Sequence, residues 1–292
     1  MNTKILSGKP VSDFLRSKLL NKVNSLKDKN IVPSLSVILV GDDPASKIYV
    51  NTKAKLFNKY GCLSKIIKVD KDISESNLLS LINEQNIDDS CHGILVQLPV
   101  PKHIDESKVI ESILPTKDVD GFHPYNVGRL FSGNPSFVPC TPSGVIEILK
   151  FYNIDVTSSN TVIVGRSNIV GKPMFSLLSQ NFEIGNSTVT MCHTRTKDLN
   201  LYTKEADIII AAVGVPHFIK SEMVKKGVNI IDVGINRMDD NSERGYSIVG
   251  DVDYNSMLGV ADSITPVPGG VGVMTVTMLL SNTIKSAELL IT

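Results

Sequence analysis

The sequence predicts an α/β protein of two domains. β-branched and aliphatic runs alternate with helical stripes through the first hundred residues, in the order β-α-β-α-β. A second strand, glycine turn and helix unit begins at Thr161. The length of 292 residues suits two domains, with one large α/β domain as the alternative.

Val11 to Leu26 carries Phe14, Leu15, Leu19, Leu20 and Val23 on one helical stripe. Pro33 ends any helix, and Ser36 to Val40 reads as a buried strand running into Gly41 and an Asp42-Asp43-Pro44 loop. Ser46 to Tyr60 reads as a helix closed by Gly61. Ile66 to Val69 is a short strand. Ser74 to Asn86 is a helix with Ser74 as its cap. Gly93 to Gln97 is a strand, broken by Pro99 and Pro101. Such alternation implies a mostly parallel sheet covered on both faces. Ligands of these sheets sit beyond the carboxyl ends of the strands.

Three places there can carry chemistry. Tyr49 and Lys53 are four apart on one helix face, with Ser46 on the same stripe; a lysine among Lys47, Lys53, Lys55 and Lys59 can equally be solvated surface. Gln97 is a polar residue at the end of a buried strand, where an amide can also just satisfy a loop carbonyl. In Asp118-Val-Asp120-Gly-Phe-His123 the two carboxylates either shape a turn or hold a ligand's donor groups.

In the second half, Thr141-Pro-Ser-Gly opens a helix through Leu149. Val162, Ile163 and Val164 then run into Gly165, a polar turn and Gly171, before a helix entered through Pro173. This unit either presents backbone N–H groups and a helix N-terminus to a phosphate, or is a plain βαβ turn; its glycines are six apart and do not complete a G-x-G-x-x-G fingerprint. Ser187 to Cys192 is the next strand. It exits through His193-Thr-Arg-Thr196 with no carboxylate before Asp198. A ribose 2′-hydroxyl reader would place an acid there, whereas Arg195, with Arg166 in the first turn, suits a 2′-phosphate and favours NADP. Arg195 can also be a solvent-facing loop residue. Ala206 to Gly214 and Val228 to Ile235 read as buried strands, the latter with Gly234 as a close-approach position for the cofactor. Asp239 to Gly245 is a polar turn, Ile248 to Val252 a short strand, and Asp251 a cap of a helix or turn. Thr265-Pro-Val-Pro-Gly-Gly-Val-Gly is a loop presenting N–H groups, and Met274 to Leu290 is a terminal helix.

Composition narrows the classes. Thirty basic and thirty acidic residues cancel, so net charge points to neither nucleic acid nor a membrane surface. Cys62, Cys91, Cys140 and Cys192 form no C-x-x-C pair, which fits buried thiols in a reducing compartment. The five histidines have no metal-ligand spacing, and no metal is expected. The apolar run Ile208 to Val213 is too short to cross a bilayer, and Asp13, Arg16 and Lys18 interrupt any signal-like core, so a soluble, cytoplasmic protein is expected.

Eight segments in order resemble the bifunctional methylenetetrahydrofolate dehydrogenase/methenyltetrahydrofolate cyclohydrolase family: Ser46–Lys53, Gly93–Pro101, Lys117–His123, Pro139–Gly144, Val164–Pro173, Ile231–Ile235, Gly250–Val252 and Thr265–Gly272. The resemblance covers nearly the whole chain. It implies an N-terminal α/β catalytic domain over residues 1–140 plus 274–292 and a Rossmann-like NADP-binding domain over 141–273, with the C-terminal helix packing back on the first domain. It also implies a homodimer in one-carbon metabolism, feeding purine biosynthesis. The implied chemistry is oxidation of 5,10-methylenetetrahydrofolate by NADP⁺, then hydrolysis of the methenyl cation to 10-formyltetrahydrofolate in the same cleft. Tyr49, Lys53, Gln97 and Asp120 correspond to the catalytic and substrate-binding residues, with Pro268 and Gly269 also on the substrate. Gly165, Arg166, Ser167, Ile169, Gly171, Thr194, Arg195, Gly214 and Ile235 correspond to the cofactor site, with Arg166 and the Thr194 hydroxyl on the 2′-phosphate.

The family usually has proline where this chain has Val273, which frees φ and adds a donor in the last loop. Three alternatives remain beside this reading. A monofunctional dehydrogenase is disfavoured by retention of Lys53 and Gln97. A shikimate-dehydrogenase-like enzyme would lack the Tyr-x-x-x-Lys and Asp-Val-Asp-Gly-Phe pairing. A non-catalytic dinucleotide-binding protein would be favoured by loss of Lys53, Gln97 or Asp120, none of which is lost.

Overall fold

The computed structural model describes residues 2–241 and 245–289. The chain divides into two compact units, Phe14–Cys140 with the segment from Val276 onward, and the residues up to Asp13 with Thr141–Thr275.

The first of these holds a three-stranded parallel sheet in the order Leu63–Val69, Ser34–Val40, Gly93–Val96. Ser34–Val40 is central and buried from Leu35 to Val40, so it reads as an almost wholly apolar run, and its one buried polar residue, Ser36, donates to Gln85 Oε1 at 2.9 Å. Leu63–Val69 is an edge strand and alternates exposed and half-buried positions. Helix Glu75–Ile87 starts where Ser74 Oγ accepts from the Asn77 N–H at 3.2 Å. Its Leu78 and Ile82 close over Ile38, Ile94 and Val96, with Val109 and Ile113 beside them. Burying each such side chain contributes about 1.5–3 kcal/mol.

Helix Pro44–Lys59 begins two residues before the expected start. Asp43 caps it by accepting from the Ser46 N–H at 2.7 Å, and proline occupies its first position, where no N–H is needed. The loop expected at Asp42-Asp43-Pro44 is therefore partly a helix cap.

The other unit holds six parallel strands, in the order Lys4–Ile5, Ser263–Ile264, Asn229–Asp232, Ile208–Ala211, Asn160–Val164, Thr188–Cys192. The chain goes from Asn160–Val164 to one neighbour, Thr188–Cys192, and then returns to the other, Ile208–Ala211. That reversal is the topological switch point of a doubly wound sheet, where such folds bind ligands. Val162, Val164, Ile209, Ile230 and Ile264 share its core. Asn236–Asp239 and Tyr246–Val249 form a separate antiparallel pair rather than a strand of the main sheet. Of the expected Asp239–Gly245 turn, residues 242–244 lie outside the described residues.

Residues up to Asp13 are not with the catalytic unit, as the 1–140 boundary had them. Lys4 and Ile5 pair with Ser263 and Ile264, and Thr3 Oγ1 donates to the Ala261 carbonyl at 2.8 Å. Two-residue strands carry no periodicity by which to be seen in advance. The last helix, Val271–Leu289, starts inside the glycine-rich segment. Residue 290, expected in that helix, lies outside the described residues. Val273 is thus in a first helical turn, donating to the Gly270 carbonyl at 3.3 Å, and not in the loop whose rigidity it was expected to change. All four cysteines are buried and free. Among the described residues no helix is long and apolar enough to cross a membrane.

Candidate active site

The helix Pro44–Lys59 carries four lysines, and they differ in setting. Lys55 and Lys59 are exposed, and Lys47 pairs with Asp42 at 2.7 Å. Lys53 is 9% exposed. Its ammonium donates to Gln97 Oε1 at 3.1 Å. Gln97 is pinned at the end of strand Gly93–Val96 by its own N–H, which donates to the Ile38 carbonyl at 2.9 Å. Its side-chain Nε2 donates to the Leu98 carbonyl at 2.9 Å. An ammonium only donates, so the amide oxygen must face Lys53. Gln97 therefore serves both the loop carbonyl and the lysine. Tyr49, one turn before Lys53, is 46% exposed and leaves its ring face open.

The two carboxylates of the Asp118–His123 segment separate cleanly. Asp118 lies beside strand Gly93–Val96, bridged to Ile94. It is buried, and its oxygens accept from the N–H groups of Gly121 (3.1 Å), Phe122 (3.2 Å) and His123 (2.8 Å) and from Asn126 Nδ2 (2.8 Å). It is the turn former. Asp120 is half-buried, and its one hydrogen-bond partner among the described residues is the Cys140 thiol at 3.8 Å. Burial pushes its carboxyl up to about 6; the Asp118 charge adds to this and the Lys53 charge opposes it. Asp120 borders an apolar recess with Val96, Leu98, Ile110 and Phe122. An underused carboxylate at the rim of an apolar recess is poised to accept donors from a ligand.

The sequence reading missed how the Asp120 turn is held. Asn282 Nδ2 donates to the carbonyls of Val119 (2.8 Å) and Val138 (3.1 Å) and reaches Cys140 Sγ at 3.8 Å. Asn282 is one of several polar residues on the helix Val271–Leu289, so nothing in the sequence singles it out.

The cofactor candidates lie in the other unit, around the switch point. Gly165 follows strand Asn160–Val164 at φ +133°, and a Cβ there would collide with the Ala212 carbonyl. Gly171 is packed as closely: a Cβ on it would collide with the Gly165 carbonyl and lie 2.8 Å from Arg166 Cα. Val164 and Cys192 are register partners, so Arg166, Thr194 and Arg195 follow the ends of adjacent strands. All three are exposed, and neither guanidinium has a partner among the described residues. Ile169 and Ile235 are exposed apolar side chains, at 48% and 50%.

Ser167 has a more local job. Its Oγ accepts from the N–H groups of Val170 (3.1 Å) and Gly171 (3.3 Å), and its carbonyl from Lys172 (3.0 Å). The first N–H groups of helix Gly171–Ser179 are thereby satisfied within the turn, which at this helix end fits the plain βαβ turn of the two readings. What remains for an anion is the backbone of residues 166–169 and the two arginines. Two close-packed glycines, free guanidinium groups at adjacent strand exits and exposed apolar side chains fit a phosphorylated dinucleotide.

Gly234 also differs from its reading. A Cβ on it would strike the Asp251 carboxylate, and one on Gly250 would strike the Asp232 carboxylate. These glycines make room for two buried acids. Gly214 sits at φ +70° with open space around it, and its N–H is already given to Asp251 at 2.9 Å. Pro268 and Gly269 belong to this unit and not to the one holding Lys53; the Gly269 carbonyl accepts from the Gly8 N–H at 2.8 Å.

Comparison with known proteins finds two family domains, whose limits differ from the two units at both ends of the chain. Residues 6–120 match the tetrahydrofolate dehydrogenase/cyclohydrolase catalytic domain, and residues 139–290 match the NAD(P)-binding domain of the same family. The bifunctional protein FolD of Acetivibrio thermocellus is 51% identical over 289 residues, covering 99% of this chain and 98% of its own. The solved bifunctional FolD of Campylobacter jejuni is 49% identical, with a TM-score of 0.91 and coverage of 98% and 99%. A Trypanosoma brucei methylenetetrahydrofolate dehydrogenase-cyclohydrolase, solved with NADP and an inhibitor, is 34% identical, with a TM-score of 0.93 and coverage of 99% and 98%. The chain belongs to the tetrahydrofolate dehydrogenase/cyclohydrolase family.

Proposed function

We propose that this chain oxidises 5,10-methylenetetrahydrofolate with NADP⁺ and hydrolyses the resulting methenyl cation to 10-formyltetrahydrofolate. The observation that carries the reading is a buried Lys53, bonded to Gln97, whose charge acts on a carboxylate, Asp120, that has only a thiol for a partner among the described residues.

Asp120 offers two oxygens to the amino group and ring nitrogen of the pterin, a two-donor edge. The exposed Tyr49 ring stacks on the face of the flat ring system. NADP⁺, when bound, supplies the hydride acceptor. No strong base is needed for that step, because removal of the hydride itself leaves the cation; the demand is alignment of the reacting carbon. Gly165 and Gly171 admit the dinucleotide backbone, Arg166 and the Thr194 hydroxyl hold the 2′-phosphate with Arg195 beside them, and Ile169, Ser167, Gly214 and Ile235 complete the walls.

Hydrolysis needs proton transfer. Water adds to the amidinium carbon, forming a C–O bond and losing a proton. The C–N5 bond then breaks, the adduct's hydroxyl proton leaves as the formyl C=O forms, and N5 takes up a proton. One proton is released in total. Lys53 is placed to move these protons, and Gln97 fixes the direction of its ammonium. Pro268 and Gly269 contribute backbone to the folate. We also infer a homodimer and a cytoplasmic role that supplies formyl groups for purine biosynthesis; sedimentation of the purified chain tests the dimer.

The test is spectrophotometric. Methenyl formation is followed with NADP⁺ and with NAD⁺, and methenyl loss is followed without nucleotide. Both reactions are expected, with strong preference for NADP⁺. Oxidation without hydrolysis would reduce the chain to a dehydrogenase.

A further inference from the structure

Asp232 and Asp251 are 3% and 0% exposed, and among the described residues neither has a cationic partner. Two bare acids so deep in a fold are costly unless hydrogen bonds replace water. Backbone groups supply those bonds. Asp232 Oδ1 accepts from the N–H groups of Gly234 (2.9 Å) and Asp251 (3.0 Å), and Oδ2 from that of Val252 (2.9 Å). Asp232 thus seats the residue that bears the second acid. Asp251 Oδ2 accepts from the N–H groups of Val213 (2.6 Å) and Gly214 (2.9 Å), and Oδ1 from Val215 N–H (3.1 Å) and Asn236 Nδ2 (2.8 Å). Gly234 and Gly250 are the only shapes that fit beside these carboxylates, as the Cβ collisions show.

The segment that Asp251 grips has a specific place. Residues 213–215 leave strand Ile208–Ala211 at the switch point, beside Gly165, where a doubly wound sheet binds its ligand. The N–H groups of such an exit would otherwise point at solvent or ligand. Here three in a row are turned onto one internal acid, leaving Gly214 in open space and Val215 47% exposed. The loop is therefore preset.

We infer that Asp251 is a positioning residue for the nucleotide: its carboxylate holds residues 213–215 in the shape that admits the dinucleotide, and Asp232 holds Asp251. This rests on the NADP-dependent reading above. The role is confined to nucleotide affinity. Lys53, Gln97 and Asp120 belong to the other unit, and hydrolysis requires no nucleotide.

Asp251→Asn tests it, because all four partners are donors and the substitution turns an NH₂ group against them. The measurements are the NADP⁺ dissociation constant, the NADP⁺ KM, the rate of nucleotide-free methenyl hydrolysis and the melting temperature. Both nucleotide constants should rise about tenfold or more, with hydrolysis within about twofold of the parent. Asn236→Ala removes one donor of the four and decides the matter if the first variant does not fold; an increase of about threefold in both constants is expected. Unchanged nucleotide constants in a folded variant would overturn the inference. So would a fall in hydrolysis matching the loss of nucleotide binding, since that marks general damage. Failure of the parent protein to bind NADP⁺ is a separate result, and it would defeat the functional reading itself.

Discussion

The two units are built on opposite plans. In the unit with Lys53, selected side chains are left underused: Asp120 has only a thiol at 3.8 Å, Tyr49 is exposed, and Lys53 is held by a single amide. In the unit with Gly165, backbone is the working surface, and side chains such as Ser167, Asp232 and Asp251 are spent on shaping it. Chemistry requires groups free to change partners, whereas cofactor binding requires a shape already in place. The same residue type shows the contrast in both units. Asp118 and Asp251 are consumed by N–H groups, while Asp120 is kept available.

Substitutions can break this comparison. The largest effect is expected at Lys53. Lys53→Met should lower methenyl hydrolysis about a thousandfold, with folding retained as judged by melting. Near-parental hydrolysis in the folded variant removes Lys53 from the mechanism. Asp120→Asn should raise the folate KM about a hundredfold, since a neutral amide presents only one acceptor to two donors. Its parent should show a pH signature. The Asp120 carboxyl titrates near 6 rather than at its ordinary 3.8, so it is ionised above about pH 6 and protonated below. The folate KM of the parent should therefore climb as pH falls through 6, about tenfold per unit, and the variant should be flat over that range. The same raised value means the protonated acid suits the fold better: its contribution to stability is full below pH 4 and is lost as pH rises through 6.

Smaller effects sharpen the comparison on the nucleotide side. Arg166→Ala should cut the NADP⁺ over NAD⁺ preference about tenfold, and Arg195→Ala less, both read as ratios of kcat/KM. Asn282→Ala strips the buried carbonyls of Val119 and Val138 of a donor and should cost about 1–3 kcal/mol in denaturant unfolding. Its folate KM should rise only a few-fold, because Asp118 still holds the turn.

Much of this was legible in the chain. Ser36–Val40 reads as a buried strand because burial on both faces leaves Val37 to Val40 an unbroken aliphatic run. Tyr49 and Lys53 announce themselves by a four-residue spacing, which helical geometry turns into one face. Cations at the exit of Thr188–Cys192 stand where an acid would otherwise be. What stayed hidden depends on contacts through space. Nothing local tells Asp118 from Asp120; only packing assigns one to the turn and frees the other. Gly234 looked like a cofactor position because glycine is needed there, but the group that needs the space is Asp251, seventeen residues on in the chain. Ser167 looked like a ligand contact, yet it closes its own helix. Lys4–Ile5 is too short to pattern and exists because Ser263–Ile264 offers it a register.

The central claim is that one chain performs an oxidation and a hydrolysis with separate sets of residues. The most direct measurement is a single absorbance trace of the methenyl product, taken for the parent and for Lys53→Met. The parent should accumulate methenyl only with NADP⁺ and then consume it when nucleotide is withdrawn. Lys53→Met should lose the second phase alone while the methenyl product still forms. Loss of both phases together in a folded variant would contradict the account.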